Sequence, residues 1–411
     1  MPTGRVGGVV VLATAFALTL VGCGIEERID FGARAPADLN TSPGHGATKA
    51  STTEPVKVSA ENGTLQGVRV VDDQGRELVG SVDPKATTWT SAGTAAPNST
   101  YRVEAVVAGD NGLTSNFVRG FHTEMPKKVL TAKVTPENKQ KVGVGMPLIV
   151  EFNKPIKKQS RAEIERRMQV NSKKPVEGAW HWFSATEAHY RPKNYWPGNN
   201  QVDLDLKLRG VQNGNGWWGK EDRTHQVKYG KSVVTKVNLF SHQATTYING
   251  KAARTIPVTG GMSGWETRDG TKVVLEVRTG ITFTDEQIGA GENYNLYSAY
   301  GLRVTWSGEF IHSADWSSGS HGYANVSHGC IGMTTGHSEW LWSNSTVGDP
   351  VEFESSGEPM DLTGNGWGDW NLSWKEWKKG SALQGTEEPE RIDLVAEVDQ
   401  RIPRTIQSVW H

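Results

Sequence analysis

Two short stretches in the last third of the chain hold residue types that covalent chemistry needs. One is Trp306–Ser313, a strand-like run that contains His312, and the other is Ser327-His328-Gly329-Cys330. A cysteine attacks as the thiolate, and an unperturbed thiol is mostly protonated near neutral pH. An imidazole can take that proton and later return it to a leaving amine. The pattern therefore favours Cys330 as a nucleophile and His312 as its base.

The residues around the cysteine support this interpretation but leave two others open. Gly329 would let a substrate approach the backbone, and the N–H groups of Gly329 and Cys330 could form an oxyanion hole. A free cysteine is also often a small buried apolar residue. A metal site is the third interpretation, although its possible ligands do not follow the usual paired-ligand spacings; they are His321, His328, Cys330 and His337.

The elements that must position these residues are β-strands. Apolar runs separated by glycine turns precede both stretches, and Asn249-Gly250 is a strong hairpin signal. These strand candidates are Val233–Leu239, Thr245–Ile248, Arg254–Val258 and Lys272–Val277. They predict a β-rich domain over residues 231–356, in which the chemistry lies.

The N-terminus resembles the signal of a bacterial lipoprotein. Residues 1–22 carry Arg5, an apolar stretch from Val6 to Leu20, and a small residue before Cys23. Such an apolar core is typical of a secretory signal and short for a membrane span. The resemblance implies a lipid on Cys23, palmitate included. We therefore expect a lipid-anchored protein on the outer face of the cytoplasmic membrane.

Composition excludes some functions. The formal charge is −1, with 44 basic and 45 acidic residues. The chain therefore has no excess of positive charge that would attract a phosphate backbone, and nucleic-acid binding is not expected. Hydrophobic residues make up 36%, which is enough for packed cores. With two cysteines, a disulfide framework is not expected.

The rest of the chain predicts a mainly β protein with several domains. Residues 23–53 are rich in small and polar residues, which predicts a flexible tether. Regularly spaced short strands predict two immunoglobulin-like sandwiches, at residues 54–124 and 125–230. Residues 357–411 form a Trp-rich subdomain, in which the spacing of four tryptophans predicts one helix face packed on the catalytic domain; they are Trp367, Trp370, Trp374 and Trp377. Leu394–Ile406 is expected to pack back on the body as a last segment.

The Ser-His-Gly-Cys sequence, with a histidine upstream in a glycine-rich β region, resembles the L,D-transpeptidase catalytic domain of the YkuD type. The whole arrangement is similar to that of mycobacterial envelope lipoproteins with two immunoglobulin-like domains. The resemblance implies Cys330 as nucleophile, His312 as general base, and the backbone carbonyl of Ser313 as the group that orients the imidazole. It also implies substrate contacts; the residues concerned are Tyr294, Ser307, Gly308, His328, Gly329 and Gly332.

The activity implied by the resemblance is peptidoglycan biosynthesis without a cofactor or metal. The enzyme would take a stem tetrapeptide as acyl donor, release D-Ala and form 3→3 cross-links with an acceptor stem. Carbapenem-type β-lactams would inhibit it covalently. An L,D-carboxypeptidase and a non-catalytic wall-binding lipoprotein remain alternatives.

Two positions depart from the family pattern: Gly332 stands where a polar residue is usual, and Asp315 replaces a frequent proline. We expect Gly332→Asn to restore a lost substrate contact.

Overall fold

The computed structural model describes residues 35–287, 291 and 293–385. The predicted signal peptide, Cys23 with its predicted lipid, and Leu394–Ile406 lie outside these ranges. Within them, no helix has the length and apolar character that crossing a membrane requires. Strands dominate throughout, so the predicted mainly β class is confirmed.

The first unit is a two-sheet sandwich. Alternating side chains on one strand are buried, as the two-residue period of a strand facing a core requires, and Tyr101, Val103 and Val107 show this pattern. The strands are β1 (Asp38–Ser42), β2 (Pro55–Glu61), β3 (Gly63–Asp72), β4 (Gly80–Val82), β5 (Thr88–Thr94), β6 (Thr100–Gly109) and β7 (Thr114–His122). One sheet has the order β1-β2-β5-β4 and the other β3-β6-β7.

The predicted tether is wrong for its second half. Strand β1 pairs antiparallel with β2 along its whole length, and Leu39 is buried in the core of the first sandwich. Further on, the N–H of Ala50 donates to the carbonyl of His122. Residues 38–42 therefore add an edge strand to this sandwich. The small polar composition concealed the strand because only one buried apolar side chain marks it.

The second unit is also a sandwich, with one short helix at its edge. Its elements are β8 (Val129–Leu130), β9 (Ala132–Thr135), β10 (Lys141–Val142), β11 (Leu148–Phe152), α1 (Lys158–Arg166), β12 (Met168–Ser172), β13 (Gly178–Trp182), β14 (Glu187–Pro192), β15 (Asn200–Lys207), β16 (Trp218–Gly219) and β17 (Asp222–Tyr229). The main sheets have the orders β10-β17-β15-β12 and β13-β14-β11-β9. Trp180, Trp182 and Trp196 fill the core between them.

The third unit holds both chemical stretches. Its elements are β18 (Val233–Asn238), β19 (Gln243–Ile248), β20 (Lys251–Pro257), β21 (Gly270–Val273), β22 (Glu276–Thr284), β23 (Asn295–Arg303), β24 (Phe310–Ser313), β25 (Ile331–Met333), α2 (Thr335–Asn344) and β26 (Pro350–Glu354). Five strands form a sheet in the order β20-β19-β18-β26-β21, and four form a second sheet in the order β22-β23-β24-β25. Apolar side chains of both sheets meet in one core.

The tail docks on both the second and the third unit, and its helix contacts the second. Helix α3 (Trp374–Lys379) is short, and Trp370 lies in a 3-10 turn before it, so the four tryptophans do not share one helix face. The indole of Trp377 donates to Ala179, and that of Trp370 donates to Gly145. The buried Arg191 guanidinium lies 4.5 Å from the Trp377 ring centre. Trp370, Trp374 and Trp377 thus contact the second unit, whereas Trp367 contacts Trp306 of the third, because a period in the sequence does not identify the opposite face.

A buried ion cluster joins the tail to the second unit. The His189 ring donates from Nδ1 to Asp369 and from Nε2 to Glu187, both at 2.8 Å. Burial disfavours the charged ring, but the two carboxylates outweigh it and raise the pKa of His189 to about 9. Since the unfolded value is 6.5, the cluster stabilises the fold fully below pH 6.5. That stability is lost as pH rises through about 9.

We expect Asp369→Asn to lower the free energy of unfolding at pH 7 by about 3 kcal/mol, because it leaves a buried charge without the more deeply buried of its two carboxylate partners. The decline in stability between pH 6.5 and 9 should also flatten. Urea unfolding followed by tryptophan fluorescence across that range measures both effects. Glu376→Gln, which alters an exposed ion pair on α3, is the matched control and should change little. An unchanged pH profile in Asp369→Asn would contradict the assignment.

Candidate active site

The pairing of β24 with β25 places the two chemical stretches side by side. These strands run parallel, with Ile311 opposite Ile331 and His312 opposite Gly332. Since side chains alternate along a strand, Cys330, one residue before β25, projects to the same face as His312. Both residues line one open cavity of about 1240 Å³. The structure therefore brings the predicted nucleophile and base together.

The backbone of the next residue fixes the histidine. Nδ1 of His312 lies 2.9 Å from the carbonyl oxygen of Ser313. Because a carbonyl only accepts hydrogen bonds, Nδ1 carries the proton and Nε2 is left to accept one. The Ser313 side chain is itself held by Ser298 at 2.8 Å and by the N–H of Ala299. This arrangement gives the imidazole the tautomer that a general base needs.

Two aromatic rings flank the imidazole. The centre of the Phe283 ring lies 4.5 Å from that of His312, and Trp316 stacks at 5.7 Å with an interplanar angle of 28°. Burial lowers the pKa of His312 to about 4, opposed by its hydrogen bond to Ser313. His312 is therefore neutral, and able to act as a base, throughout the physiological range.

The thiol is neutral as well. Burial raises the pKa of Cys330 to about 11, although a backbone hydrogen bond from Phe310 opposes the shift. The thiol points to the carbonyl oxygen of Gly308 at 3.6 Å, and Cys330 remains partly accessible. The resting site is thus a neutral thiol beside a neutral imidazole. Proton transfer to His312 must accompany attack.

The predicted oxyanion hole is only partly available. The N–H of Gly329 donates to the Ser327 hydroxyl at 3.1 Å, and that hydroxyl donates to the carbonyl of Cys330. Gly329 has a φ of +111°, which a side chain would strain. These bonds tie the loop into a tight turn. Of the two predicted donors, the Cys330 N–H remains for an oxyanion.

Tyr294 and His328 meet on the cavity wall. The His328 ring stacks on Tyr294 with centres 5.8 Å apart, and its other neighbour, Trp265, approaches edge-on at 5.0 Å. Both predicted residues line the cavity. They form an aromatic wall beside the nucleophile.

Ser307 and Gly308 are held in place by the tail. The side-chain oxygen of Asn365 accepts the N–H of Ser307 at 2.8 Å, and Asn365 is almost fully buried. Since the carbonyl of Gly308 receives the Cys330 thiol, the segment after β26 helps to orient that thiol. Sequence reasoning missed Asn365 because its partner lies far away in the chain.

The histidines considered as metal ligands do not form a metal-binding group in the described residues. In the part of the chain that the structure describes, no three His, Cys, Asp or Glu side chains come together so as to hold a metal ion. His321 is buried behind Gly332 and contacts the Ser317 hydroxyl at 3.3 Å. Asp315, which departs from the family pattern, accepts the N–H and hydroxyl of Thr335 and so caps α2.

Two family models match this chain. A family model described as the L,D-transpeptidase catalytic domain matches residues 232–353, and one described as a bacterial Ig domain matches residues 47–212. L,D-transpeptidase 2 of Mycobacterium tuberculosis (strain CDC 1551 / Oshkosh) is 28% identical over 348 residues, which cover 84% of this chain and 85% of that protein.

A second relative decides the family. L,D-transpeptidase 1 of M. tuberculosis (strain H37Rv) is 30% identical over 225 residues, 54% of this chain and 83% of that protein. The chain belongs to the L,D-transpeptidase family. A solved structure of the LD transpeptidase LdtMt1 in complex with imipenem is 30% identical and covers 56% of this chain and 100% of its own, with a TM-score of 0.47.

Gly332 does not leave room for the side chain that we expected to help. Its N–H and carbonyl both bond to Thr259. A Cβ on Gly332 would lie 2.9 Å from the Thr259 methyl and 3.0 Å from the Cβ of Ala314. A side chain at Gly332 must therefore displace Thr259 or Ala314, which argues against the expectation that Gly332→Asn restores a substrate contact.

We expect Gly332→Ala to lower L,D-transpeptidase kcat/KM by roughly tenfold, since overpacking costs about 1–3 kcal/mol. Adding Thr259→Ser removes the closest methyl and keeps the hydroxyl that bonds to Ala324, so the double variant should recover part of the loss. Gly336→Ala meets no atom within 4 Å and serves as control. If the single variant is as active as the control, the close packing at Gly332 does not matter.

Proposed function

We propose that this protein is a peptidoglycan L,D-transpeptidase that forms 3→3 cross-links through a thioester on Cys330. The observation that carries the proposal is the shared cavity wall of Cys330 and His312, with Nδ1 of His312 bonded to the Ser313 carbonyl. A thiol with a neutral base of fixed tautomer suits acyl transfer. The membership of the family points to the same reaction type.

The first half-reaction transfers an acyl group to sulfur. Nε2 of His312 takes the thiol proton as Sγ attacks the carbonyl between the third and fourth stem residues. The Cys330 N–H stabilises the oxyanion. The amide C–N bond then breaks, and the proton on Nε2 passes to the departing amine of D-Ala. The products are a thioester and the free amino acid.

The second half-reaction uses the same base in the opposite sense. The side-chain amine of diaminopimelate on a neighbouring stem attacks the thioester, and its proton passes to Nε2 of His312. The C–S bond breaks, the thiolate regains its proton, and a new amide joins the two stems. Splitting one amide exchange into two steps lowers each barrier. None of these steps uses a cofactor.

We also propose that the chain works at the outer face of the cytoplasmic membrane, held by a lipid on Cys23. That residue lies outside the described ranges, and the lipobox-like sequence before it supports the proposal. The sandwich units would then carry the cavity towards the wall. The same cavity would accept a carbapenem, because its strained carbonyl resembles the scissile amide.

The purified enzyme should convert stem tetrapeptides into cross-linked dimers with release of D-Ala. Chromatography with mass spectrometry of the muropeptide products tests this directly. Tripeptide monomer without dimer would establish the alternative, an L,D-carboxypeptidase in which water resolves the thioester. No conversion of either kind by the wild type would favour the non-catalytic wall-binding lipoprotein.

The pH dependence of carbapenem acylation should show the protonation states of the His312 imidazole and the Cys330 thiol. The rate should rise as pH increases through about 4, where His312 loses its proton, and stay level until the thiol ionises near 11. In His312→Ala the rate at pH 7 should fall on the order of 10²–10⁴-fold and should then increase with pH along with the thiolate. Intact-protein mass spectrometry against time measures these rates, with Cys330→Ala as blank. A wild-type rate that falls above pH 7 would contradict the neutral pair.

A further inference from the structure

A buried lysine lies on the β21 strand of the third unit. The Lys272 side chain is fully buried, and its Nζ donates to Glu309 at 2.7 Å. The same ammonium lies 4.1 Å from the centre of the Phe353 ring. Replacing a buried ion pair by apolar side chains is often neutral or stabilising. Stability alone therefore gives little reason for a charged residue at this position.

An arginine completes the cluster and makes it positive. Both the backbone N–H and Nη1 of Arg268 donate to the second carboxylate oxygen of Glu309, at 3.1 and 3.2 Å. One carboxylate thus faces two cations, which leaves a net charge of about +1 by elementary charge counting. Asp361 approaches Arg268 only at 3.8 Å, and its side chain is exposed, so solvent screens it.

The cluster touches the nucleophile loop from two sides. Glu309 directly follows Gly308, whose carbonyl receives the Cys330 thiol. Thr267, next to Arg268, donates its hydroxyl to the carbonyl of Gly329 at 2.8 Å. A Cβ on Gly329 would lie 3.8 Å from both Cγ and Oε1 of Glu309. The charges therefore sit against the backbone of the residue before the nucleophile.

Other ionisable groups also face Cys330. His312 projects from β24, and His328 lies on the cysteine's own loop. The remaining charged residues that line the cavity are Glu266, Arg278, Arg303 and Glu358. After burial and the Phe310 hydrogen bond, Glu309 raises the pKa of the Cys330 thiol and Lys272 lowers it. The two nearest charges thus act on the thiol in opposite directions.

We propose that Lys272, Arg268 and Glu309 are positioning residues that hold the Gly329–Cys330 turn, and that the two cations offset the negative charge of Glu309 as the sulfur ionises. The role in acylation rests on the proposed function, whereas the effect on the thiol does not. Burial lowers the pKa of Lys272 and Glu309 opposes that shift, so the two cations favour the thiolate at pH values where Lys272 is still protonated. Sequence reasoning missed the set, although a lysine within an apolar strand was the available signal.

The test follows alkylation of Cys330 by iodoacetamide between pH 7 and 11, measured on the Cys330 peptide of the full chain by mass spectrometry. Lys272→Met removes one cation and should slow alkylation about tenfold at fixed pH, equivalent to about one pKa unit. The double variant Lys272→Met with Glu309→Gln leaves the charge of Arg268 alone and should return to within about threefold of wild type.

The double variant separates charge from packing. A purely structural role predicts that removing both partners harms the loop at least as much as removing one. The electrostatic role is therefore overturned if the double variant is as slow as Lys272→Met, or if Lys272→Met is unchanged. Lys236→Met removes an exposed ion pair on the same five-stranded sheet, and its alkylation should match wild type.

A second variant covers the case in which Lys272→Met does not fold. Arg268 is partly exposed, so Arg268→Gln should fold and slow alkylation several-fold; an unchanged rate would overturn the proposal. Because alkylation needs no stem peptide, these outcomes are independent of cross-linking. If alkylation of the variants follows the expected order but no dimer product forms, the proposed function is refuted and the role of the charge cluster stands.

Discussion

The site depends on the parallel pairing of β24 with β25. This register puts His312 opposite Gly332 and directs Cys330 to the same face. A slip by one residue would turn the thiol to the other face of the sheet, away from its base. Helix α2, which follows β25 directly, is capped by Asp315, the second residue after β24. This contact fixes the chain just after β25 to the chain just after β24.

Burial has two opposite consequences for the chemistry. It keeps the thiol protonated and the imidazole neutral, so the resting enzyme holds no reactive thiolate. It also strengthens every nearby charge, because the local dielectric is low. The cluster of Lys272, Glu309 and Arg268 acts in this setting. A site whose thiol is unreactive at rest and whose thiolate is stabilised during attack needs both consequences together.

Short sequence motifs predicted the chemical groups better than they predicted how distant parts of the chain pack together. Cys330 and His312 stand in short, specific sequences, and alternating apolar residues in strands such as β15 indicate the sandwiches. The tail was harder, because the tryptophan period identifies an apolar face but not that Trp377 packs on β13. The buried pair of Lys272 and Glu309 joins residues distant in sequence, which no local period reveals. The sequence likewise suggests a lost substrate contact at Gly332, but not that the Thr259 methyl occupies the space next to it.

The central claim is a covalent intermediate on one sulfur atom. The most direct measurement is acid quenching of the enzyme with a stem tetrapeptide donor and no acceptor, followed by intact-protein mass spectrometry. A thioester on Cys330 predicts an added mass equal to the tripeptide acyl group, which hydroxylamine removes and which is absent from Cys330→Ala. The same adduct on Cys330→Ala, or cross-linked product formed by that variant, would contradict it.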